Sequence, residues 1–169
     1  PHFPFKCAPA DREGFPEGKH GDHLGEIVAM DRSIGMLRQG LKNLGIEKNT
    51  LLWFTSDNGG LSTDPHSTGH LRGFKGSLYE GGIRVPAIAW GPGVGVRKAH
   101  VSSEVVTAMD WYPTLATLAG VAVPEGRVID GRDITPLLKG ETKQVPAWGM
   151  NRSLNAAVPL RRTWNPPGE

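Results

Sequence analysis

The segment LLWFTSDNGG, residues 51–60, constrains the fold of this chain more than any other feature of its sequence. A continuous apolar run over residues 50–55 predicts a β-strand that is covered on both faces. The run leads directly into Asp57 and Asn58, followed by two glycines. These residue types form tight turns, and a carboxylate beside an amide also offers hard oxygen ligands for a divalent cation. From these residues alone, the segment can be either a simple turn or a metal site.

The regular elements around this strand alternate between helix and strand. Between His23 and Leu44 the apolar residues recur at spacings of three and four, which predicts an amphipathic helix that ends at Gly45. Residues 84–90 predict a second strand. Residues 102–118 predict a second helix that starts or kinks at Pro113. This order, in which two strands are joined by a crossover and alternate with helices, indicates an α/β fold with a layered sheet.

Composition excludes several classes of function. The 169 residues carry a net charge of only +2 and show no stripe of lysine and arginine, so we expect no nucleic-acid partner. No apolar run reaches the roughly 18 residues of a membrane span. A single cysteine, Cys7, cannot form an internal disulfide. The chain begins with Pro1 rather than Met, and we interpret it as part of a longer protein.

The glycine-rich segment after the strand, residues 57–82, is the main candidate for a functional loop. Loops of about 25 residues inside a compact domain are usually functional, and α/β proteins bind ligands at the carboxyl ends of their strands. Lys75 lies among glycines, so its backbone could approach an anion closely while the ammonium supplies the charge. Arg72 and Arg84 could join this anion site, although pairing with an acid such as Glu80 is an equal alternative.

Several sequence blocks, in a fixed order, resemble a known family. They are PHFPFKCAP, the helix HLGEIVAMDRSIGMLRQGLKNLG, TLLWFTSDNGG, LRGFKGSLYEGGIRVPAIAWGPG, AMDWYPTLATLAG and DGRDITPLLKG. Together they closely resemble the sulfatases of the alkaline-phosphatase-like superfamily. The resemblance implies that residues 1–140 are the carboxyl-terminal portion of a sulfatase catalytic domain, an α/β fold with part of a layered mixed sheet flanked by helices. It leaves residues 141–169 as an irregular tail.

The resemblance also implies roles for four residues. Asp57 and Asn58 match the acid and the amide that bind the active-site calcium in sulfatases, Lys75 matches a lysine that contacts the sulfate group, and His2 matches a histidine that faces the sulfate ester. The chemistry agrees with these roles. A divalent cation and an ammonium on the non-bridging oxygens would stabilise charge that moves to the leaving group. A histidine near the ester oxygen could act as a general acid.

The nucleophile of the family has no match in this chain. Sulfatases attack with a formylglycine made from Cys or Ser in a C/S-x-P-x-R motif, which precedes the matched blocks, as do two further calcium-binding aspartates. The segment from Cys7 to Arg12 has its arginine one place late, and we interpret it as a chance match. We therefore expect half of an active site, inactive alone, that needs the rest of the sulfatase domain and acts on a sulfate-ester substrate. Family members are mostly exported or lysosomal, and the compartment of this chain stays open.

Two other functions remain as alternatives. A related phosphatase or phosphonate hydrolase would share the metal-and-anion layout, and His20, His23, His66 and His70 could serve a two-metal site. A non-catalytic, calcium-stabilised module would keep the fold without the nucleophile. The upstream sequence separates these alternatives, because a C/S-x-P-x-R motif there supports the sulfatase.

Overall fold

The structure is a computed structural model that describes residues 2–62 and 67–145. The chain forms two compact units, residues 1–93 and residues 94–169. In the described parts, no helix combines the length and the apolarity that are needed to cross a membrane. Most of the irregular tail predicted at residues 141–169 lies outside the described residues, so that prediction stays open.

The described part of the first unit contains three helices, one 3-10 turn and two strands. In chain order they are α1 (Pro9–Arg12), α2 (Lys19–Asn43), the 3-10 turn Glu47–Asn49, β1 (Leu52–Thr55), α3 (Glu80–Ile83) and β2 (Ala87–Trp90). Helix α2 confirms the long predicted helix, although it begins four residues before His23. Its end is also confirmed, because Gly45 has a φ of +69° and donates its N–H to the carbonyl of Lys42 at 3.0 Å. The N–H of Ile46 completes the Schellman motif by donating to Leu41 at 3.1 Å.

Strands β1 and β2 form an antiparallel pair in which Leu52 lies opposite Trp90 and Thr55 lies opposite Ala87. The second predicted strand is therefore confirmed, but it begins at Ala87 rather than at residue 84. The predicted crossover is wrong, since a crossover joins parallel strands. The prediction that β1 is covered on both faces is also wrong for this structure, because every residue of β1 is only half-buried. Within the described residues, the expected layered sheet is present only as this pair.

In the second unit the described helices are α4 (Trp111–Ala119) and α5 (Thr135–Lys139), with a 3-10 turn at Ala108–Asp110. The helix predicted over residues 102–118 is shorter, and residues 102–107 are not helical. Pro113 lies in the first turn of α4. The N–H groups of a first turn have no acceptor within the helix, so the missing N–H of proline costs no hydrogen bond there. The proline therefore marks the start of the helix and does not kink it.

A buried ion pair organises this second unit. Asp110 is fully buried and accepts hydrogen bonds from three nitrogens of Arg132, the backbone N–H at 2.7 Å, Nε at 3.2 Å and Nη2 at 2.9 Å. The backbone N–H of Thr107 donates to the same carboxylate at 2.9 Å. Burial acts to raise the pKa of Asp110, but the hydrogen bonds from Arg132 and Thr107 outweigh it, so this pKa lies below its ordinary value. The apolar residues Ile134 and Leu137 are buried in this unit.

Candidate active site

Close backbone contacts hold the end of β1 against the segment that precedes β2. The N–H of Gly59 donates to the carbonyl of Gly82 at 2.9 Å, and the N–H of Lys75 donates to the carbonyl of Gly60 at 2.7 Å. A Cβ atom at Gly59 would overlap with the carbonyl of Gly81. Only glycine allows the two backbones to approach this closely. The glycines therefore bring the predicted calcium ligands and the predicted sulfate-binding lysine into one region.

The segment around Lys75 is folded back on itself. The N–H of Gly81 donates to the carbonyl of Arg72 at 2.7 Å, which closes the segment at its base. Gly73 and Gly76 have φ values of +86° and +91°, in the left-handed region that favours glycine. Lys75 is thus held on a compact loop, and because its backbone N–H already donates to Gly60, the approach of its backbone to an anion stays a prediction.

Asp57 and Asn58 present oxygen atoms of the kind that calcium binds. The amide nitrogen of Asn58 donates to the carbonyl of Gly59 at 2.9 Å, which leaves the amide oxygen available as a ligand. The hydroxyl of Ser56 donates to the carbonyl of Asn58 at 2.8 Å and fixes the backbone of this turn. The Asp57 carboxylate is exposed and makes no ion pair within residues 2–62 and 67–145. The donor set therefore fits part of a calcium site.

The two residues do not complete such a site by themselves. Calcium prefers six to eight oxygen ligands, and no group of three or more His, Cys, Asp or Glu residues that could hold a metal occurs in the described parts of the chain. His66, one of the histidines considered for a second metal, lies outside those parts.

The basic side chains near the site have different surroundings. Arg84 forms an ion pair with Glu80 at 2.9 Å, so the structural alternative considered for this arginine is the one observed. The guanidinium of Arg72 lies 3.8 Å from the centre of the Tyr79 ring, in a cation–π contact. Lys75 as a whole residue is half-buried, and its ammonium has no carboxylate partner among the described residues. Of these three cations, only Lys75 has neither an ion pair nor a ring contact among the described residues.

His2 is exposed, and its Nδ1 lies 2.7 Å from the carbonyl oxygen of Phe3. The segment that follows packs on α2, where the ring of Phe5 stacks on His23 with 4.4 Å between ring centres. No hydrogen bond or ion pair of the described residues joins His2 to the other three candidates. The role of His2 therefore stays a prediction.

Cys7 packs against the first turns of α2. Its Sγ lies 3.5 Å from a carboxylate oxygen of Asp22, and a Cβ atom at Gly25 would overlap with this sulfur. Burial raises the pKa of the Cys7 thiol, and the Asp22 carboxylate raises it further. Arg12 contacts Asp22 at 3.2 Å rather than an anion site. The interpretation of this segment as a chance match to the formylglycine motif stays a prediction.

Sequence reasoning missed two contacts that the structure shows. The pair of Asp110 and Arg132 joins two of the quoted blocks, but the residues are 22 positions apart and no periodicity connects them. The stacking of Arg72 on Tyr79 was also missed. Its only sequence signal is an arginine and an aromatic residue on either side of Lys75.

Comparisons with known proteins agree with the arrangement of these blocks. Residues 1–121 match the family described as Sulfatase. The chain is 41% identical to N-acetylgalactosamine-6-sulfatase of Mus musculus over 148 residues, which cover 85% of this chain and 28% of that protein. It is 40% identical to steryl-sulfatase of Rattus norvegicus over 142 residues, covering 79% of this chain and 24% of that protein.

A solved structure shares the fold. It is the crystal structure of Ps i-CgsB in complex with k-i-k-neocarrahexaose, which matches with a TM-score of 0.73 and 37% identity over 80% of this chain and 31% of that chain. The chain thus spans about a quarter to a third of the length of the proteins it matches. The family match over residues 1–121, the identities near 40% and the common fold show that this chain belongs to the sulfatase family.

Proposed function

We propose that the full-length protein hydrolyses a sulfate ester and that this chain supplies the calcium- and sulfate-binding half of its active site. The observation that carries the proposal is the convergence of two chemically suited groups. The turn with Asp57 and Asn58 is joined to the loop of Lys75 by the hydrogen bonds from Gly59 to Gly82 and from Lys75 to Gly60. Oxygen ligands and an available ammonium therefore lie on two segments that are fixed to each other.

The chemistry of these groups suits the transfer of a sulfate group. The carboxylate of Asp57 and the amide oxygen of Asn58 would hold calcium, which would supply positive charge to the sulfate oxygens. The ammonium of Lys75 binds a non-bridging sulfate oxygen and stabilises the charge that moves toward the leaving group. His2 donates a proton to the ester oxygen as the bond breaks.

The proposal concerns the sulfate ester rather than one particular leaving group. The two relatives compared above have almost the same identity to this chain, and one is named N-acetylgalactosamine-6-sulfatase while the other is named steryl-sulfatase. The blocks shared with both therefore fit what their substrates have in common. Leaving-group pockets are built from loops that vary between relatives.

The test is the hydrolysis of a chromogenic aryl sulfate by the full-length protein with calcium present. We expect Lys75→Ala to lower turnover by about a hundredfold or more, as the loss of one charge-stabilising group does in other active sites. Its midpoint of urea unfolding should stay nearly unchanged, because Lys75 has no ion-pair partner among the described residues. Arg84→Ala is the matched control, since it removes a positive charge from a neighbouring position that is already paired with Glu80.

Two results would contradict the proposal. One is wild-type turnover by the Lys75→Ala variant. The other is hydrolysis of an aryl phosphate in preference to the aryl sulfate, which would favour the related phosphatase. The chain of 169 residues is assayed beside the full-length protein. Lysine-dependent turnover by this chain alone would place the nucleophile within it and make Cys7 the first candidate.

A further inference from the structure

Arg72 and Tyr79 close the loop that carries Lys75 at two points. The side chain of Arg72 stacks on the Tyr79 ring, with 3.8 Å from the guanidinium carbon to the ring centre. The carbonyl of Arg72 accepts the N–H of Gly81 at 2.7 Å. Arg72 therefore contacts the other end of the segment twice, through its side chain to Tyr79 and through its backbone to Gly81. Lys75 lies between these two ends.

The loop between these ends needs such a restraint. Gly73 and Gly76 flank the region of Lys75, and both have the positive φ values that glycine adopts with the least restriction. A loop with two glycines has many accessible backbone conformations when it is not held. The hydrogen bond from the Lys75 N–H to Gly60 at 2.7 Å holds one point in the loop, and the stack of Arg72 on Tyr79 restrains its ends.

We infer that Arg72 and Tyr79 are positioning residues for Lys75. Their stack keeps the lysine loop closed, so that the ammonium remains directed to one place instead of following a mobile backbone. The inference rests on the proposed function, in which Lys75 binds the sulfate group. Arg72 acts through the loop and does not itself bind the anion, and Tyr79 contributes the face of its ring rather than its hydroxyl.

The size of the effect follows from the strength of the contact. A cation–π contact at an exposed site corresponds to about a two- to fivefold shift in an equilibrium, and Tyr79 is about half exposed. We expect Arg72→Ala to raise the inhibition constant of inorganic sulfate, and to lower kcat for an aryl sulfate, by about two- to fivefold in the full-length protein. Tyr79→Leu should have the same effect, whereas Tyr79→Phe keeps the ring and should match the wild type.

A cycle of single and double variants separates positioning from direct binding. If Arg72 acts only through Lys75, Arg72→Ala has no further effect on the inhibition constant of sulfate once Lys75→Ala is present. A two- to fivefold effect that persists in the Lys75→Ala protein would show that Arg72 contacts the anion itself, and would overturn the inference. Arg84→Ala is the control for a general loss of positive charge, because its guanidinium is paired with Glu80 and not with a ring.

The outcomes distinguish this inference from the function it rests on. If Lys75→Ala changes neither sulfate inhibition nor turnover, the proposed role of the lysine is wrong and the inference falls with it. If Lys75→Ala lowers both while Arg72→Ala and Tyr79→Leu change neither, only the inference is overturned. Thermal unfolding checks that each variant is folded, and Arg72→Gln, which keeps most of the aliphatic part of the side chain but lacks the guanidinium and its charge, gives the same test if Arg72→Ala does not fold.

Discussion

Two arginine–carboxylate pairs in this protein have the same nitrogen–oxygen distance of 2.9 Å but opposite surroundings. The side chains of Arg84 and Glu80 are 53% and 60% exposed, whereas those of Arg132 and Asp110 are 8% and 0% exposed. Water screens an exposed pair, and such pairs on a helix contribute about 0.3–0.5 kcal/mol. Removing one partner of a buried pair leaves an uncompensated charge and costs about 3–5 kcal/mol. Replacement by alanine should therefore lower the free energy of unfolding about ten times more at Arg132 than at Arg84.

The hydrogen bonds that Asp110 accepts give a similar estimate for the loss of unfolding free energy in Arg132→Ala. Arg132→Ala removes the bonds from Nε and Nη2, at 3.2 and 2.9 Å, but keeps the two bonds from the backbone N–H groups of Thr107 and residue 132. Hydrogen bonds to charged groups contribute about 1.5–3 kcal/mol each. Two of them correspond to about 3–6 kcal/mol, which overlaps the range for a broken buried pair. This is a large fraction of the roughly 5–15 kcal/mol by which a typical native protein is stable.

The measurement is urea unfolding of the full-length protein at neutral pH, with wild type, Arg132→Ala and Arg84→Ala compared side by side. We expect Arg132→Ala to lower the free energy of unfolding by about 3–5 kcal/mol, and Arg84→Ala to lower it by less than about 1 kcal/mol. Equal costs for the two variants would refute the reasoning, because burial would then not decide the strength of the pair. A cost below about 1 kcal/mol for Arg132→Ala would refute it as well.

The same network gives a pH dependence with a definite sign. The pKa of Asp110 is lowered in the folded state, so its contribution to stability is fully present above the unfolded value of about 3.9 and is lost as the pH falls through the folded pKa. The difference in unfolding free energy between wild type and Asp110→Asn should therefore be constant from neutral pH to about pH 5 and shrink below about pH 4. A difference that grows on acidification would contradict this assignment.

Three further predictions concern the first unit. Asp57→Ala should abolish calcium-stimulated hydrolysis of an aryl sulfate by the full-length protein, and wild-type activity in the presence of a chelator would contradict the calcium role. Gly59→Ala should lower the free energy of unfolding by about 1–3 kcal/mol, because its Cβ overlaps with the carbonyl of Gly81. Gly35→Ala is the control for side-chain volume, because Gly35 lies within α2 with open space around it and without a positive φ. Cys7→Ser should retain the kcat of the wild type within about twofold, and complete loss would make Cys7 essential to catalysis.

Local sequence signals predicted the elements whose causes are themselves local. The end of α2 depends on apolar spacing and on one glycine, Gly45, and the structure has its Schellman motif there. The close approach of the turn after β1 to the segment of Lys75 could also be anticipated, because glycines are frequent in both segments and close backbone approach needs them. Their positions relative to each other then follow from the hydrogen bonds of Gly59 and Gly60.

Features that depend on distant residues could not be predicted in the same way. The pattern of residues 102–107 predicts a helix, but this segment has no regular secondary structure and presents the carbonyl of Val105 to Arg132 at 2.9 Å. The partner of Asp110 is 22 residues away, beyond the reach of any helical or strand period. From the sequence, Arg84 could either bind an anion or pair with an acid. The structure shows the second, because Arg84 lies one helical turn from Glu80 and forms an ion pair with it.

The apolar pattern of β1 shows why burial was overestimated. Its continuous apolar run predicts cover on both faces, yet within the described residues β2 is its only strand partner, and Ile88 of that strand is 60% exposed. Complete burial of a side chain of this size is worth about 1.5–3 kcal/mol compared with leaving it in water. Relatives of the chain are about three to four times as long as the part they share with it. We therefore expect the run to be the pattern of a strand in a larger sheet, a prediction that a structure of the full-length protein would test.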